Sequence, residues 1–276
     1  MILQTEVKLN LGLRVLRRRE DGYHEIETLF YPYPGLGDSI ELERTQHRFS
    51  LRIDGPAYAG WDPDGDLCAR AWRLLADRFQ IPPVQIRLHK TAPVGAGLGG
   101  GSADAAAVLC ALDSLFCLNL GRERLAGLAA ELGSDCPFFI YGTPMLGTGR
   151  GEVLTPFPLD LSAYEIKVEV PEGVHVSTAE AYRGVLAAAG AKPSRDRPLG
   201  EVLRQPVSSW KDLLFNDFES TVFPLYPEIA ALKRRFYEEG AVYAAMSGSG
   251  SAVFGLFPKE GFRVRPLKST EAAAAW

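Results

Sequence analysis

Metal-binding and disulfide patterns are missing from this chain. Its four cysteines, Cys68, Cys110, Cys117 and Cys136, form no C-x-x-C pair, and its four histidines, His24, His47, His89 and His175, are scattered without zinc-type spacing. The cysteines read as reduced cytosolic thiols serving as small hydrophobes. No apolar run of about 18 residues is present, so no membrane span is expected. The start, MILQTEVKLNLGL, has neither the basic segment nor the long apolar run of a secretory signal. Excess charge of one sign is also absent: 30 Lys and Arg against 34 Asp and Glu leave a net charge of -4, with pI near 5.7. That balance argues against a general role on nucleic acid or a membrane surface, so a polyanionic ligand must be met by local cations and metal. A Walker loop is excluded because no Gly-Lys-Ser or Gly-Lys-Thr follows the glycine-rich stretch, and a protein kinase because H-R-D and D-F-G are missing.

What is present is an ordinary soluble composition, 46% hydrophobic and 23% charged over 276 residues, enough for two modest domains or one large one. The informative stretch is PVGAGLGGGSADAA, Pro93 to Ala106, in which five of the seven residues from Gly95 to Gly101 are glycine. Without Cβ atoms such a backbone approaches a ligand closely and aims successive N–H groups at phosphate oxygens. Apolar alternation at Val84, Ile86 and Leu88 predicts a strand before it. The run ADAAAVLCALDSL predicts a helix after it, with Ser102 as N-cap and Asp104 in the first turn. The helix adds its positive end to the anion site. Gly95, Gly97 and Gly100 also match the dinucleotide pattern G-x-G-x-x-G, but hydrophilic Lys90 and Thr91, then Pro93, separate strand from glycines. A nicotinamide-dependent oxidoreductase therefore rests on spacing alone. A plain turn before a buried helix remains the other reading.

Elsewhere, Val7, Leu9, Leu11, Leu13 and Val15 alternate with Lys8, Asn10, Gly12 and Arg14, a strand with a core face and a second face carrying Lys8 and Asn10. Asp21-Gly22 signals a turn after Arg17, Arg18 and Arg19, a solvated basic run, and residues 23–30 read as a returning strand. Residues 67–79 and 122–132 read as helices, the second closed by Gly133. The two prolines of TPFPLDL suggest a boundary, giving domains 1–157 and 158–276. Beyond it, Ile166, Val168 and Val170 predict a strand. Ser177-Thr178-Ala179-Glu180 predicts a capping box on a helix running to about Gly190, and 192–198 an exposed loop. A helix from Pro227 to Glu239 leads into strands near 241–246 and 252–257, joined by a second small-residue turn, Ser247-Gly248-Ser249-Gly250. In GSDCPFF, Asp135 stands just before Pro137, where the unadorned expectation is an N-cap.

Together these elements resemble the small-molecule kinases of the galactokinase, homoserine kinase, mevalonate kinase and phosphomevalonate kinase superfamily, with the glycine loop as their second motif and SGSGSAVF as their third. KLNLGLRVLRRREDGYHEIETLF, LGDSIEL, AGLGGGSADAA, LGSDCPFFIYGTPMLGTGRGE, VSTAEAY and NDFE are similar to successive signatures of one family within it, the 4-diphosphocytidyl-2-C-methyl-D-erythritol kinases of the non-mevalonate isoprenoid pathway. The likeness runs from Lys8 to Phe254, and DGYHEI discriminates best.

The resemblance implies an α+β fold of two domains: an N-terminal ATP-binding domain with a left-handed βαβ unit and a ferredoxin-like C-terminal domain, with the active site in the cleft between them. It implies a cytoplasmic enzyme that moves the γ-phosphoryl of ATP, with Mg2+, to the 2-hydroxyl of a cytidine diphosphate substrate, with no obligate protein partner. Pro93, Val94, Gly95, Ala96, Gly97, Leu98, Gly99, Gly100, Gly101, Ser102 and Ala103 would hold the ATP phosphates, Ser102 touching the β-phosphate or its Mg2+. By motif position Asp135 is the catalytic aspartate and Lys8 its partner, while Asn10, Tyr23 and His24 bind substrate. Another small-alcohol kinase, acting on homoserine or mevalonate, and a catalytically silent sensor are the alternatives; retention of Lys8 and Asp135 counts against silence. Two positions depart from the pattern: Ala103-Asp104 replaces Ser-Asn or Ser-Asp, and Asp66 stands where an asparagine beside adenine is common. A carboxylate cannot reproduce an amide's paired donor and acceptor.

Overall fold

The computed structural model describes residues 1–188 and 196–259. Most of the 192–198 loop and the end of the 177–190 helix lie outside them. The strands are β1 (Ile2–Gln4), β2 (Val7–Arg18), β3 (His24–Tyr33), β4 (Ser39–Arg44), β5 (Ser50–Asp54), β6 (Val84–His89), β7 (Met145–Thr148), β8 (Val153–Pro156), β9 (Tyr164–Glu169), β10 (Tyr243–Met246) and β11 (Val253–Pro258). The helices are α1 (Leu67–Phe79), α2 (Gly100–Leu115), α3 (Arg122–Leu132), α4 (Cys136–Tyr141), α5 (Thr178–Tyr182), α6 (Val185–Ala188), α7 (Leu199–Leu203), α8 (Trp210–Leu213), α9 (Glu219–Leu225) and α10 (Pro227–Glu238).

Three sheets result, in the orders β1-β4-β6-β5, β2-β3-β7-β8 and β10-β11-β9. All pairings are antiparallel except β5 with β6, which run parallel and are joined through α1, a βαβ unit. Apolar residues of β4, β6, α1, α2, α3 and α4 form one core. A second core gathers Val7, Leu9 and Leu11 of β2 with Ala96 and Leu98 of the glycine loop and with Tyr243, Ala245, Ala252 and Phe254 around β10 and β11. A third joins Leu13 and Val15 to α9, α10 and the C-terminal strands. Strand β2 is therefore sandwiched from Val7 to Val15, and over that length its second face is not solvated. Lys8 and Asn10 are only 3% and 2% exposed, because the glycine loop and the turn after β10 cover that face.

At Gly12 the register of β2 against β3 slips, with φ at +69°. A Cβ there would meet Leu214 Cδ1 at 2.5 Å, so the bulge needs glycine. Its carbonyl accepts from Thr28 Oγ1 at 2.6 Å. The helix expected over 177–190 is broken into α5 and α6 at Arg183-Gly184, where Gly184 has φ +77°. Ser177 does cap α5, accepting from Glu180 N, but Glu180 turns to the Tyr226 hydroxyl instead of completing a reciprocal box.

Candidate active site

The glycine loop is built on alternation. Ala96 and Leu98 point into the second core, at 3% and 1% exposure, and full burial of Leu98 contributes about 1.5–3 kcal/mol. Gly95, Gly97 and Gly99, all at positive φ, face a cleft of about 640 Å3. The backbone is pinned from both sides. Leu98 O accepts from Lys8 N at 2.9 Å, Ala96 O from Ala252 N at 3.0 Å, and Gly97 O from the Ser247 hydroxyl at 3.0 Å. A Cβ on Gly97 would fall 2.1 Å from Ser247 O, so the two small-residue turns touch only because position 97 has no side chain. Asn216 secures the second turn by donating to Met246 O and Gly248 O, each at 2.8 Å.

Helix α2 starts earlier than expected. Its N-cap is Gly99, in the left-handed region and without a side-chain cap, and Ser102 is the third helical residue. The N-cap assignment of Ser102 is thus corrected: glycine lets the chain turn in without a side-chain cap. The Ser102 hydroxyl lies beside the Cys136 thiol, whose pKa burial raises to about 11. Pro93 and Val94 lead into the loop, Val94 half exposed; Gly100 and Gly101 open the helix, and Ala103 is buried.

Lys8 lies on the cleft floor. Its ammonium donates to Asn10 Oδ1 at 2.5 Å and Gly97 O at 2.8 Å, and stands 3.5 Å from Asp135 Oδ2 and 5.6 Å from the centre of the Phe30 ring. Burial lowers its pKa, and the Asp135 carboxylate opposes the fall. Three acceptors surround three protons, as a charged ammonium requires. Asn10 Nδ2 donates in turn to Thr28 Oγ1 at 3.0 Å. Asp135 occupies the cap position of α4 yet makes no side-chain cap bond; its carboxylate, one-third exposed, faces Lys8 and the cleft.

Aromatic groups form the mouth. Tyr23, 56% exposed, lies under the Arg150 guanidinium, 4.9 Å from the ring centre. His24 stacks on Tyr182 at 4.5 Å and 20°, and Tyr182 meets the Phe218 ring edge-on. Burial, aided by the Asp135 charge, pushes the Tyr182 hydroxyl up to about 12, so it stays protonated. Burial, then Arg18, lowers the pKa of His24. Arg17 and Arg19 pair with Glu25, and Arg19 also with Asp21, outside the cleft.

Several of these residues carried no signal of their own in the sequence. Tyr182 and Arg150 stand inside the stretches VSTAEAY and LGSDCPFFIYGTPMLGTGRGE that carry the family resemblance, but neither is assigned a role there. Lys90 looked like a hydrophilic spacer but is 3% exposed. It donates to Asp38 at 2.5 Å and Asp104 at 2.7 Å directly behind Gly100, and Asp38 also accepts from Thr91 N and Ala92 N. Asp104 is consequently a buried partner of Lys90 beyond the first turn, not a first-turn charge. Asp66 caps α1 through Cys68 N and accepts from Trp61 Nε1, which commits both its oxygens to the fold.

A glycine loop ending in an uncapped helix, a second glycine turn against it and a lysine–aspartate pair between them meet at one cleft, and the chain belongs to the GHMP kinases. The GHMP kinases N terminal domain matches residues 66–143 and the GHMP kinases C terminal domain residues 199–265. A Bacteroides fragilis protein named 4-diphosphocytidyl-2-C-methyl-D-erythritol kinase is 46% identical over 264 residues, covering 94% of this chain and 93% of its own. A protein of the same name from Nitratidesulfovibrio vulgaris is 40% identical, with 92% and 89% covered. The crystal structure of a 4-(cytidine 5'-diphospho)-2C-methyl-D-erythritol kinase superposes with TM-score 0.77 at 36% identity, over 93% of this chain and 90% of that one. Within the GHMP kinases this chain is therefore a member of the 4-diphosphocytidyl-2-C-methyl-D-erythritol kinase family. The mevalonate kinase of Methanococcus jannaschii shares the fold, at TM-score 0.63 and 15% identity.

Proposed function

We propose that this protein transfers the γ-phosphoryl group of ATP to the 2-hydroxyl of 4-diphosphocytidyl-2-C-methyl-D-erythritol. The observation that carries the reading is the Lys8–Asp135 pair, 3.5 Å apart at the meeting point of the two glycine turns. The acceptor oxygen attacks the γ-phosphorus, its proton passes to Asp135, and the bond to the β-phosphate oxygen breaks to release ADP. The transition state is loose, so positioning and charge neutralisation outweigh proton abstraction, which suits an ordinary carboxylate. Lys8 keeps Asp135 ionised and faces the moving phosphoryl group. Asn10, locked to Thr28 and Lys8, orients the acceptor chain, and Tyr23, His24 and Tyr182 receive the cytosine.

The loop from Pro93 to Ala103 holds the nucleotide phosphates through the backbone of its glycines and the first turn of α2. Among the described residues no group of three His, Cys, Asp or Glu side chains is placed to bind a metal. That fits Mg2+ carried on phosphate oxygens and water, which asks for one or two protein oxygens only. The Ser102 hydroxyl is the oxygen that would hold it, and when bound the ion neutralises phosphate charge. We place the domain division at 157/158, between β8 and β9. No described helix is long and apolar enough to cross a membrane, and the free cysteines suit a cytoplasmic setting.

The test is ADP formation with Mg-ATP and the cytidyl acceptor, beside homoserine, mevalonate and a control without acceptor. Turnover confined to the cytidyl acceptor is expected. Turnover with another alcohol would keep the chemistry and discard the substrate, and none at all would favour a silent sensor.

A further inference from the structure

One cation lining the cleft has no part in phosphoryl transfer. Arg150 lies at the tip of the β7–β8 hairpin, in the turn Gly149-Arg150-Gly151. The turn is fastened to the cleft wall. Gly149 O accepts from Ile26 N at 2.7 Å, and a Cβ on Gly151 would stand 3.3 Å from the Phe30 ring. Glu152 accepts from the Arg150 backbone N–H at 2.5 Å and from its Nε at 3.4 Å, while the Tyr23 ring covers the guanidinium face. Among the described residues neither terminal nitrogen has a protein acceptor. A guanidinium held at its Nε edge and its face presents the opposite edge, a planar fork that matches two phosphate oxygens.

The donor side of the cleft already has its anion site in the glycine loop and α2. Lys8 is held on the floor by Asn10 Oδ1, Gly97 O and Asp135, away from Tyr23. If the base rests at Tyr23 and the reacting hydroxyl at Asp135, the diphosphate joining them crosses the space that Arg150 lines. In a chain of net charge -4 that group needs a local cation. We propose that Arg150 is a substrate-binding residue whose two terminal nitrogens clamp the diphosphate of the cytidyl acceptor, with Glu152 holding the guanidinium in position. The inference rests on the proposed function, and it assigns the acceptor's anionic group to a residue outside the glycine loops.

Binding of CDP and of cytidine, measured by calorimetry or by competition against the acceptor, separates phosphate recognition from base recognition. In Arg150→Ala the CDP affinity is expected to fall about ten- to hundredfold, the range for losing charge-assisted hydrogen bonds. Cytidine affinity and the KM for ATP should stay within about twofold. Arg150→Lys, which keeps the charge without the fork, should recover part of the loss and serves as the folding control. Parallel losses for CDP and cytidine would overturn the inference by showing that the arginine acts only through the Tyr23 ring. A raised KM for ATP would overturn it in favour of the donor phosphates. Wild-type protein that turns over the cytidyl acceptor while Arg150→Ala binds CDP normally sinks the clamp alone, whereas wild-type protein inert toward that acceptor sinks the proposed function.

Discussion

At the cleft floor Lys8 and Asn10 are almost wholly buried, and their polar side-chain atoms are tied to Gly97, Thr28 and Ser247. At the mouth Tyr23 is mostly exposed, and among the described residues none accepts from the terminal nitrogens of Arg150. Under the proposed function the contrast follows from what each end must do. Phosphoryl transfer depends on donors already in place, because any reorganisation during the reaction raises its barrier. Recognition of a flexible diphosphocytidyl group tolerates side chains that settle on the ligand, provided enough aromatic area and one cation are available.

Breaking the floor should have the largest effect. Asp135→Asn and Lys8→Met are expected to lower kcat about 10^2- to 10^4-fold, the range for removing a positioned acid–base group or an electrostatic donor, with thermal melting near that of wild type for Asp135→Asn. Near-normal turnover in both variants would remove them from the catalytic role. Next in size is Gly97→Ala. The left-handed backbone alone costs about 1–2 kcal/mol, and the 2.1 Å approach of its Cβ to Ser247 O forces the two turns apart. The expected result is a lower melting temperature together with a raised KM for ATP, and an unchanged KM for ATP would mean that this contact does not shape the phosphate site.

At the mouth, Tyr23→Ala should raise the KM for the cytidyl acceptor about ten- to hundredfold, since stacking of a base on an aromatic ring contributes about 1–3 kcal/mol. The KM for ATP and kcat at saturation should move little. If kcat falls as far as in Asp135→Asn, the mouth is not separable from the floor and the contrast fails.

Much of this organisation is legible in the residues. Helices α1 and α3 run from Leu67 to Phe79 and from Arg122 to Leu132, where the 3.6-residue stripes and Gly133 put them. The glycine loop between a strand and a helix is also where the glycines put it, although they do not by themselves predict the burial of Ala96 and Leu98. Periodicity could not tell that the face of β2 bearing Lys8 and Asn10 is covered, because the covering residues, Gly97 and Ser247, arrive from 89 and about 240 positions away. The start of α2 differs from the sequence expectation for a local reason: serine is the stronger capping residue in general, but Gly99 at φ +74° supplies the entry turn that serine would strain to adopt. Tyr182 and Arg150 lie in stretches that carry the family resemblance, VSTAEAY and LGSDCPFFIYGTPMLGTGRGE, but they reach the mouth through tertiary packing that helix and turn signals do not encode.

The smallest effect on activity is expected behind the glycine loop, and its pH dependence carries the information. Asp104 shares Lys90 with Asp38, leaving two carboxylates to one buried ammonium. Burial pushes the Asp104 carboxyl up to about 7; Lys90 opposes the rise, Asp38 adds to it and Thr5 moderates it. Because the folded value lies above the ordinary value of 3.8, the folded chain keeps a proton that the unfolded chain has lost over that interval. The group's contribution is therefore fully present below about pH 4 and is lost as pH rises toward 7. Asp104→Asn keeps the shape, removes that titration and leaves Lys90 paired with Asp38. The difference in urea midpoint between variant and wild type should shift in favour of the variant from pH 4.5 to pH 7.5, with kcat at pH 7.5 changed by no more than about twofold if the cluster supports the loop without touching substrate. A midpoint difference that does not vary with pH would mean that Asp104 is fully ionised throughout, with Lys90 compensating both carboxylates. A large fall in kcat would extend the rigid floor beneath the phosphate loop and move the dividing line between the two regions.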